Sequence, residues 1–306
     1  MKNENTVYKK ILDNGLTVLV HQDHVVPKVS TQLWYYTGSK DEKTGEKGIA
    51  HLIEHMIFKG TEKLSESDIN EITHKLSGYC NAFTSYDYTG YLFDLPEHNW
   101  RYALDIMSDC MRNCSFKEEH LNSELKAVIQ ELKMYKDKYT SDLVEKMIEV
   151  LFVGHPYTNP IMGYKHHLGR LKRQALVDFY KQHYIPNNAT LVVVGDVDPA
   201  EVFELAEQKF GSIPADFNYV RQEFNLPKDI TSKSVTIYRD VAQPVMLLAY
   251  LIPGVKAKQD YLVDTISWIV GSGRGSRLYK KLVDELQIAV EVESFVDDLF
   301  DSSIFF

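Results

Sequence analysis

The stretch that most constrains this chain is a triplet of chemically active residues in an apolar segment, His51-x-x-Glu54-His55. At about 100° per residue, these three side chains fall within one arc of roughly 100° on a helix. Two imidazoles one turn apart can hold one metal ion, and the carboxylate beside them can reach a water on that ion. The pattern is also typical of an ordinary amphipathic helix whose polar arc faces water. The stretch alone leaves both interpretations open.

A second pair of carboxylates lies in a predicted helix over residues 117–135. Glu124 and Glu131 are two turns apart on nearly one line, among apolar residues that indicate a buried face. A buried carboxylate without a partner costs several kcal/mol or becomes neutral, so something must compensate both groups. Either a metal ion or a Lys or Arg across a helix interface would do so. A zinc peptidase needs two His, one Glu and an open fourth position, and the chain supplies that set.

Composition limits the class of protein. A chain of 306 residues is long enough for about two domains. The net charge of -9, with no basic block, argues against a nucleic-acid partner. No apolar run approaches the roughly 18 residues of a membrane helix, and the first residues have no signal-peptide core. Three cysteines without framework spacing indicate reduced thiols, so we expect a cytoplasmic protein with no membrane span.

Residue patterning predicts an α+β fold, because strands and helices do not alternate strictly. A hairpin is expected around Asn14-Gly15, which is a strong two-residue turn signal. Further predicted strands cover 29–36, 79–95 (two strands around Tyr86-Asp87) and 189–195. Predicted helices cover 65–76, 99–112, 117–135, 141–151, 168–184 and 199–210.

Periodicity is lost over residues 213–234, which carry Pro214 and Pro227 and are interpreted as a linker. The pattern then restarts with predicted strands at 235–238 and 245–252 and predicted helices at 259–270 and 277–286. We therefore predict a first domain over 1–215, a linker over 216–234 and a partial second domain over 235–306.

The spacing of the candidate ligands resembles that of the pitrilysin/insulinase family of zinc peptidases, which includes the mitochondrial processing peptidases and bacterial homologues. Glu131 follows His55 by 76 positions, and Glu124 lies seven positions earlier. Other stretches also resemble family landmarks: Gly38-Ser39-Lys40-Asp41-Glu42, Phe58-Lys59-Gly60-Thr61, Asn81-Ala82-Phe83-Thr84, Val194-Gly195-Asp196-Val197 and Gly271-Ser272-Gly273-Arg274-Gly275-Ser276-Arg277-Leu278-Tyr279.

The resemblance implies similar two-layer α/β sandwich domains, each a mainly antiparallel sheet with helices packed on it. It implies one Zn²⁺ per chain, held by His51, His55 and Glu131, with Glu124 orienting a ligand histidine. Glu54 would be the general base on a zinc-bound water in an endopeptidase that hydrolyses peptides or unfolded segments.

The same resemblance assigns a substrate-binding role to Asn81, Ala82, Phe83 and Thr84. They would form an edge strand on which a peptide adds as a further strand. Without the resemblance, a plain core hairpin is the simpler interpretation of this stretch.

Two departures from the family pattern bear on activity. The chain stops at Phe306, inside the expected second domain, so we expect a C-terminally truncated member. Val283 and Val290 also stand where the family carries an Arg and a Tyr that touch the substrate. A homologous partner subunit that retains this pair would supply the missing contacts, and a heterodimer or a homodimer is expected.

Two alternatives to a self-sufficient enzyme remain. One is a non-catalytic or partner-dependent subunit with an assembly role, although such family members typically lose zinc ligands that this chain keeps. The other is that the 306 residues are a fragment that does nothing in isolation.

Overall fold

The computed structural model describes residues 6–226, 231–257 and 260–306, and its backbone contacts divide the chain into two units. Unit 1 comprises Met1–Lys133 and Asn159–Arg221, and unit 2 comprises Met134–Thr158 and Gln222–Phe306. Residues 134–158, which the sequence predicts in the first domain, cluster with unit 2. Periodicity identifies a helix but not the body against which it packs, so it could not reveal this grouping. The predicted domain boundaries stay predictions.

The sheet of unit 1 explains most of its predicted strands. Its strands are β1 (Val7–Ile11), β2 (Thr17–Gln22), β3 (Lys28–Tyr35), β4 (Tyr79–Thr84), β5 (Thr89–Pro96) and β6 (Ala189–Gly195). They lie in the order β1-β2-β6-β3-β5-β4, and every neighbouring pair is antiparallel except β2 with β6. The predicted α+β class with a mainly antiparallel sheet is confirmed, and β4 lies at one edge of this sheet.

The predicted hairpin turn connects β1 to β2. Gly15 has a φ of 85°, in the left-handed region that glycine adopts without strain. The Asn14 side chain donates hydrogen bonds to the carbonyl oxygens of Phe210 (2.8 Å) and Ile213 (3.2 Å), so the turn is also tied to a distant segment.

Helices cover the sheet of unit 1. They are α1 (Ile49–Ile57), α2 (Glu66–Lys75), α3 (Arg101–Asn113), the first part of α4 (Glu118–Asp137), α6 (Lys165–Leu168), α7 (Arg173–His183) and α8 (Pro199–Phe210). The prediction of one continuous helix over 168–184 is wrong, because the Gly169 N–H bonds back to Lys165 and a short helix ends there. Ser65 caps α2 as predicted: its hydroxyl accepts from the Asp68 N–H, and the Asp68 carboxylate accepts from the Ser65 N–H.

The core of unit 1 lies between the sheet and these helices. Alternate residues of the strands point into it, among them Val18 and Val20 of β2 and Leu33 of β3. They belong to one cluster with Leu52 and Ile53 of α1, both of which are fully buried. The apolar circumference of α1 therefore fixes the direction in which its polar arc points.

Unit 2 is less regular. It contains the end of α4, α5 (Tyr139–Leu151), β7 (Tyr250–Pro253), α9 (Asp260–Val270), a π-helix (Tyr279–Glu285), β8 (Val296–Asp297) and β9 (Ser302–Phe305). The strands form an antiparallel sheet in the order β7-β9-β8.

Two strand predictions in unit 2 are wrong. Residues 235–238 are not a strand, and only the end of the predicted strand over 245–252 is one. High β-propensity does not make a strand without a partner, and these segments are largely exposed. Residues 227–230 of the predicted linker and Gln259 lie outside the described residues. Within the described part of the chain, no helix has both the length and the apolar character needed to cross a membrane.

Candidate metal centre

The candidate metal centre begins with α1, which carries His51, Glu54 and His55. His51 is 8% exposed, and Glu54 and His55 are half-buried. The interpretation of α1 as an amphipathic helix with a solvent-facing polar arc is therefore wrong for His51. The rings of His51 and His55 are 4.7 Å apart, as expected for side chains one turn apart on one face.

A buried carboxylate holds the N-terminus of α1. The two oxygens of Glu42 accept hydrogen bonds from the N–H groups of Gly48 (3.0 Å) and Ala50 (2.9 Å). These N–H groups have no partner inside the helix, so a side chain must satisfy them. Burial raises the pKa of Glu42 to about 8, while the two N–H bonds act in the opposite direction. Gly48 has a φ of 98°, and a Cβ there would lie 2.6 Å from the Met162 carbonyl oxygen, so this position requires glycine.

The second helix of the centre is α4, which brings Glu131 to both histidines. One oxygen of Glu131, Oε2, lies 3.8 Å from His51 Nε2 and 3.3 Å from His55 Nε2. One ligand atom from each residue lies within 4.8 Å of the other two. A tetrahedral zinc with bonds of about 2.1 Å separates its ligand atoms by about 3.4 Å, so this donor set fits zinc in both chemistry and spacing.

The protonation state of His51 also suits a metal ligand. Burial, together with the neighbouring His55, lowers the pKa of His51 from 6.5 to about 4. Its ring is therefore neutral at pH 7, which is the form that binds a metal ion. No hydrogen-bond partner of the buried His51 Nδ1 atom is found among the described residues.

Glu124 lies behind His55, on the side away from Glu131. Its Oε2 atom is 3.2 Å from His55 Nδ1, and its Oε1 atom is 3.0 Å from Lys59 Nζ. Lys59 also contacts Glu66 at 2.7 Å. A carboxylate that accepts from one nitrogen of an imidazole fixes the tautomer that leaves the other nitrogen for a metal ion. Of the two compensations that the sequence left open for Glu124, a metal ion or a basic side chain, the structure shows the basic side chain, Lys59, and His55 contacts the other oxygen.

Glu131 differs from the prediction that both carboxylates are buried. Glu124 is buried, whereas the side chain of Glu131 is 49% exposed. A line of residues seven apart drifts by about 20° around an α-helix, and Glu131 lies on the open side of the centre. An open side is what water and a substrate need to reach a metal ion there.

Glu54 takes no part in the His–His–Glu group and contacts the edge strand instead. The Thr84 hydroxyl donates a hydrogen bond of 2.6 Å to Glu54 Oε2. Burial raises the pKa of Glu54, and this hydrogen bond acts in the opposite direction. A carboxylate beside the His–His–Glu group is a residue type that suits a general base.

The predicted substrate strand is β4. It pairs with β5 in the sheet order, and its other edge borders no further strand in the described residues. Phe83 packs edge-on against Trp34, with ring centroids 5.2 Å apart. Cys80 and Ala82 pack against the core. Asn81, Ala82, Phe83 and Thr84 thus lie where a peptide strand could add, and their role in binding substrate stays a prediction.

The structure brings together every residue that the sequence analysis nominated for the metal centre. Sequence reasoning missed Lys59 and Glu42, which hold Glu124 and the start of α1. Both lie in stretches that resemble family landmarks, and that resemblance could have marked them as candidate residues of the site. Their partners, however, are tertiary contacts that no local pattern specifies.

Comparison with known proteins identifies the family to which this chain belongs. The profile described as Insulinase (Peptidase family M16) matches residues 17–165, and the profile described as Peptidase M16 inactive domain matches residues 170–306. The chain belongs to this insulinase family.

Individual relatives agree with this assignment. A protein of Rickettsia bellii described as an uncharacterized zinc protease is 31% identical over 306 residues, which is 100% of this chain and 73% of that protein. The zinc protease PqqE of Helicobacter pylori is 28% identical over 299 residues, which is 96% of this chain and 67% of PqqE. A crystal structure of a protease from Helicobacter pylori superposes with a TM-score of 0.90 at 28% identity, covering 98% of this chain and 73% of that one.

Proposed function

We propose that this protein is a zinc-dependent endopeptidase that hydrolyses peptides or unfolded protein segments. The observation that carries the proposal is the convergence of His51, His55 and Glu131, with Glu54 on the same face of α1. Membership in a family whose relatives are named zinc proteases supports it.

In this proposal His51, His55 and Glu131 would hold one zinc ion, and the chemistry supplied by a bound zinc ion would be Lewis-acid activation of a water molecule. Glu124 keeps the His55 ring in the required tautomer. Glu54 receives a proton from the attacking water on its carboxylate and delivers it to the leaving amine. The half-buried position of Glu54 limits competing solvation of that carboxylate.

The substrate class follows from the edge strand. The outer edge of β4, which borders no other strand in the described part of the chain, can pair with an extended peptide, which gives affinity with little demand on the peptide's sequence. An extended conformation is available to short peptides and unfolded segments but not to folded domains. Asn81, Ala82 and Phe83 would supply this pairing beside the metal centre.

A second proposal concerns a partner. Val283 lies in the π-helix and Val290 is 73% exposed, and neither can replace the cationic and hydroxyl groups of the family's Arg and Tyr. We propose that a homologous subunit with this pair completes the active form. A non-catalytic assembly role is the alternative, and the retention of His51, Glu54, His55 and Glu131 argues against it.

The test is metal analysis of the purified chain combined with cleavage of a quenched extended peptide, alone and with candidate homologues. We expect about one zinc per chain, lost in His51→Ala but kept in His74→Ala, which changes an exposed histidine of α2. Cleavage should require the bound metal. A wild-type chain that binds no zinc under any condition would rule the proposal out.

A further inference from the structure

Thr84 is the last residue of the edge strand β4, and its side chain faces α1 instead of the open edge. Side chains alternate along a strand, and Ala82 and Cys80, which lie two and four positions before Thr84, pack against the core. Thr84 continues this inward row, and its hydroxyl donates to Glu54 Oε2 at 2.6 Å. The residue that ends the proposed substrate strand therefore touches the proposed base directly.

The backbone of Thr84 is well fixed. Thr84 pairs with Thr89 across the β4–β5 ladder, and the Thr89 hydroxyl donates to the Thr37 carbonyl oxygen at 2.9 Å. A β-branched side chain also has restricted rotation about its first torsion angle. Thr84 can therefore hold the Glu54 carboxylate in one orientation, which the flexible glutamate side chain cannot do by itself.

Two roles of Thr84 can coexist because they use different atoms. A peptide that adds to β4 engages backbone N–H and C=O groups in the plane of the sheet, whereas the side chain stands perpendicular to that plane. A substrate peptide can therefore pair with β4 while the Thr84 hydroxyl keeps its hydrogen bond to Glu54.

We propose that Thr84 is a positioning residue for the general base and links the substrate strand to Glu54. The proposal rests on the proposed peptidase function. It adds a side-chain role to a residue that was expected to act only through its backbone. The hydroxyl is the group that matters, so serine should replace threonine and valine should not.

The first experiment compares Thr84→Val with Thr84→Ser in the zinc-loaded protein. Valine keeps the shape of threonine and removes the donor. We expect kcat to fall about 10-fold in Thr84→Val, as part of the 10²- to 10⁴-fold that a positioned base contributes. KM and zinc content should stay within about 2-fold of wild type, and Thr84→Ser should retain most of kcat. Thr31→Val is the matched control, because Thr31 is a fully buried threonine in β3 of the same sheet.

A raised KM with unchanged kcat in Thr84→Val would overturn the proposal, because Thr84 would then act through substrate binding alone. Equal losses in the serine and valine variants would also overturn it, because the hydroxyl would then be irrelevant. An inactive, zinc-free wild type would instead be a failure of the peptidase proposal itself.

The second experiment does not depend on activity. In the metal-free protein, the unfolding midpoints in urea are measured for Thr84→Val, Glu54→Ala and the double variant. If the hydrogen bond exists, the two shifts are not additive, because either substitution alone removes the bond. Additive shifts would overturn the inference whether or not the wild type cleaves peptides.

Discussion

His55 is held between two carboxylates with different surroundings. Glu124 on one side is buried and shared with Lys59, whereas Glu131 on the other side is half-exposed and shared with His51. The ammonium of Lys59 compensates the charge of Glu124 without help from a metal ion. The buried side of the centre, with Glu124 and Lys59, is therefore held in place without a metal ion. The exposed side, with Glu131, is where a metal ion could bind or leave.

The unequal surroundings predict unequal effects on zinc affinity. Glu131→Gln removes a proposed ligand and should release zinc at modest chelator concentrations. Glu124→Gln removes only support and should weaken binding by about 10- to 100-fold. Competition with a chromophoric chelator measures both, with Glu118→Gln, at an exposed position in the first turn of α4, as the control. The reverse order of effects would exchange the two roles.

Substitution of Glu54 should affect turnover and not zinc binding. Glu54 is not part of the His–His–Glu group, so Glu54→Gln should keep its zinc while losing nearly all turnover. The amide keeps an acceptor for the Thr84 hydroxyl but cannot take up a proton. Metal content and cleavage of a quenched peptide are measured on the same preparation. Turnover close to the wild-type rate would show that another group is the base.

A buried histidine that is not part of the His–His–Glu group predicts sensitivity to acid. Burial lowers the pKa of His183 from 6.5 to about 4, and its Nδ1 atom lies 2.9 Å from the Tyr219 hydroxyl. Between pH 6.5 and about 4 the unfolded chain binds a proton that the folded chain does not. The free energy of unfolding should therefore decrease as the pH falls through this window, by about 1–3 kcal/mol from His183.

Urea titrations of the metal-free protein at several pH values test this sign. In His183→Gln the pH slope should be smaller by up to about one proton, whereas in the exposed control His74→Gln it should be unchanged. The slope should not vanish in His183→Gln, because burial also lowers the pKa of His51. An unchanged slope in His183→Gln would contradict the prediction.

At the residue scale, the sequence reveals contacts within one helix but not contacts between elements. The His51, Glu54 and His55 arc follows from helical spacing alone. No local pattern predicts that Glu131 lies beside His55 in space. That expectation came from the resemblance to a family. The contacts of Thr84 with Glu54 and of Lys59 with Glu124 depend on how β4, α1 and α4 pack, so composition and periodicity could not supply them.

At the element scale, α1 is fixed from both ends. Glu42 satisfies its first N–H groups, and the thiols of Cys110 and Cys114 lie within hydrogen-bonding distance of carbonyl oxygens at its end, Cys110 Sγ at 3.5 Å from the Ile57 oxygen. Burial raises the pKa of both thiols, so they stay protonated donors. Reduced thiols are what the sequence predicted, and α1 gives them a structural role.

The N-terminal contact predicts a measurable loss on mutation. Glu42→Ala leaves the N–H groups of Gly48 and Ala50 unsatisfied in a buried place, which should cost roughly 2 kcal/mol or more of unfolding free energy. Zinc affinity should fall as well, because His51 directly follows Ala50 in the helix. Glu46→Ala, in the same loop and only partly buried, is the matched control for urea unfolding and metal binding. Equal stability of the two variants would show that Glu42 does not hold α1.

Elements were predictable where the residue pattern and the packing agree. In unit 1, β2 and β3 alternate buried and less buried residues, and α2 and α8 begin at the capping residues Ser65 and Asp198, so these predicted elements match. In unit 2 the residues of 235–238 suit a strand but find no neighbouring strand there. Residues 277–286 carry a helical pattern that the chain winds as a π-helix over Tyr279–Glu285, which periodicity could not distinguish.

At the scale of the whole molecule, the metal centre and the positions of the missing clamp lie in different units. His51, His55, Glu124 and Glu131 all belong to unit 1, whereas Val283 and Val290 belong to unit 2. Unit 2 also exposes several apolar side chains on α9, with Tyr261 85% and Trp268 70% exposed. Apolar side chains clustered in this way are typical of surfaces that another polypeptide covers.

The last prediction is therefore that peptidase activity depends on a partner subunit. With valines at positions 283 and 290, the proposed clamp positions have no cation or hydroxyl to hold a substrate carbonyl. A homologue from the same source that retains the Arg and Tyr would supply those groups. Cleavage per chain should be low for this protein alone, rise on titration with such a homologue, and saturate at a fixed ratio of the two chains.

Two variants distinguish binding of a specific partner from nonspecific association through exposed apolar side chains. Trp268→Glu places a charge on the exposed face of α9 and should reduce the partner's effect if that face is covered in the complex. Lys280→Glu, at an exposed position outside that face, is the control. Sedimentation of the same mixtures reports whether a complex forms. Full activity of the isolated chain as a monomer at nanomolar concentration would rule the partner out, because neither valine could then limit turnover.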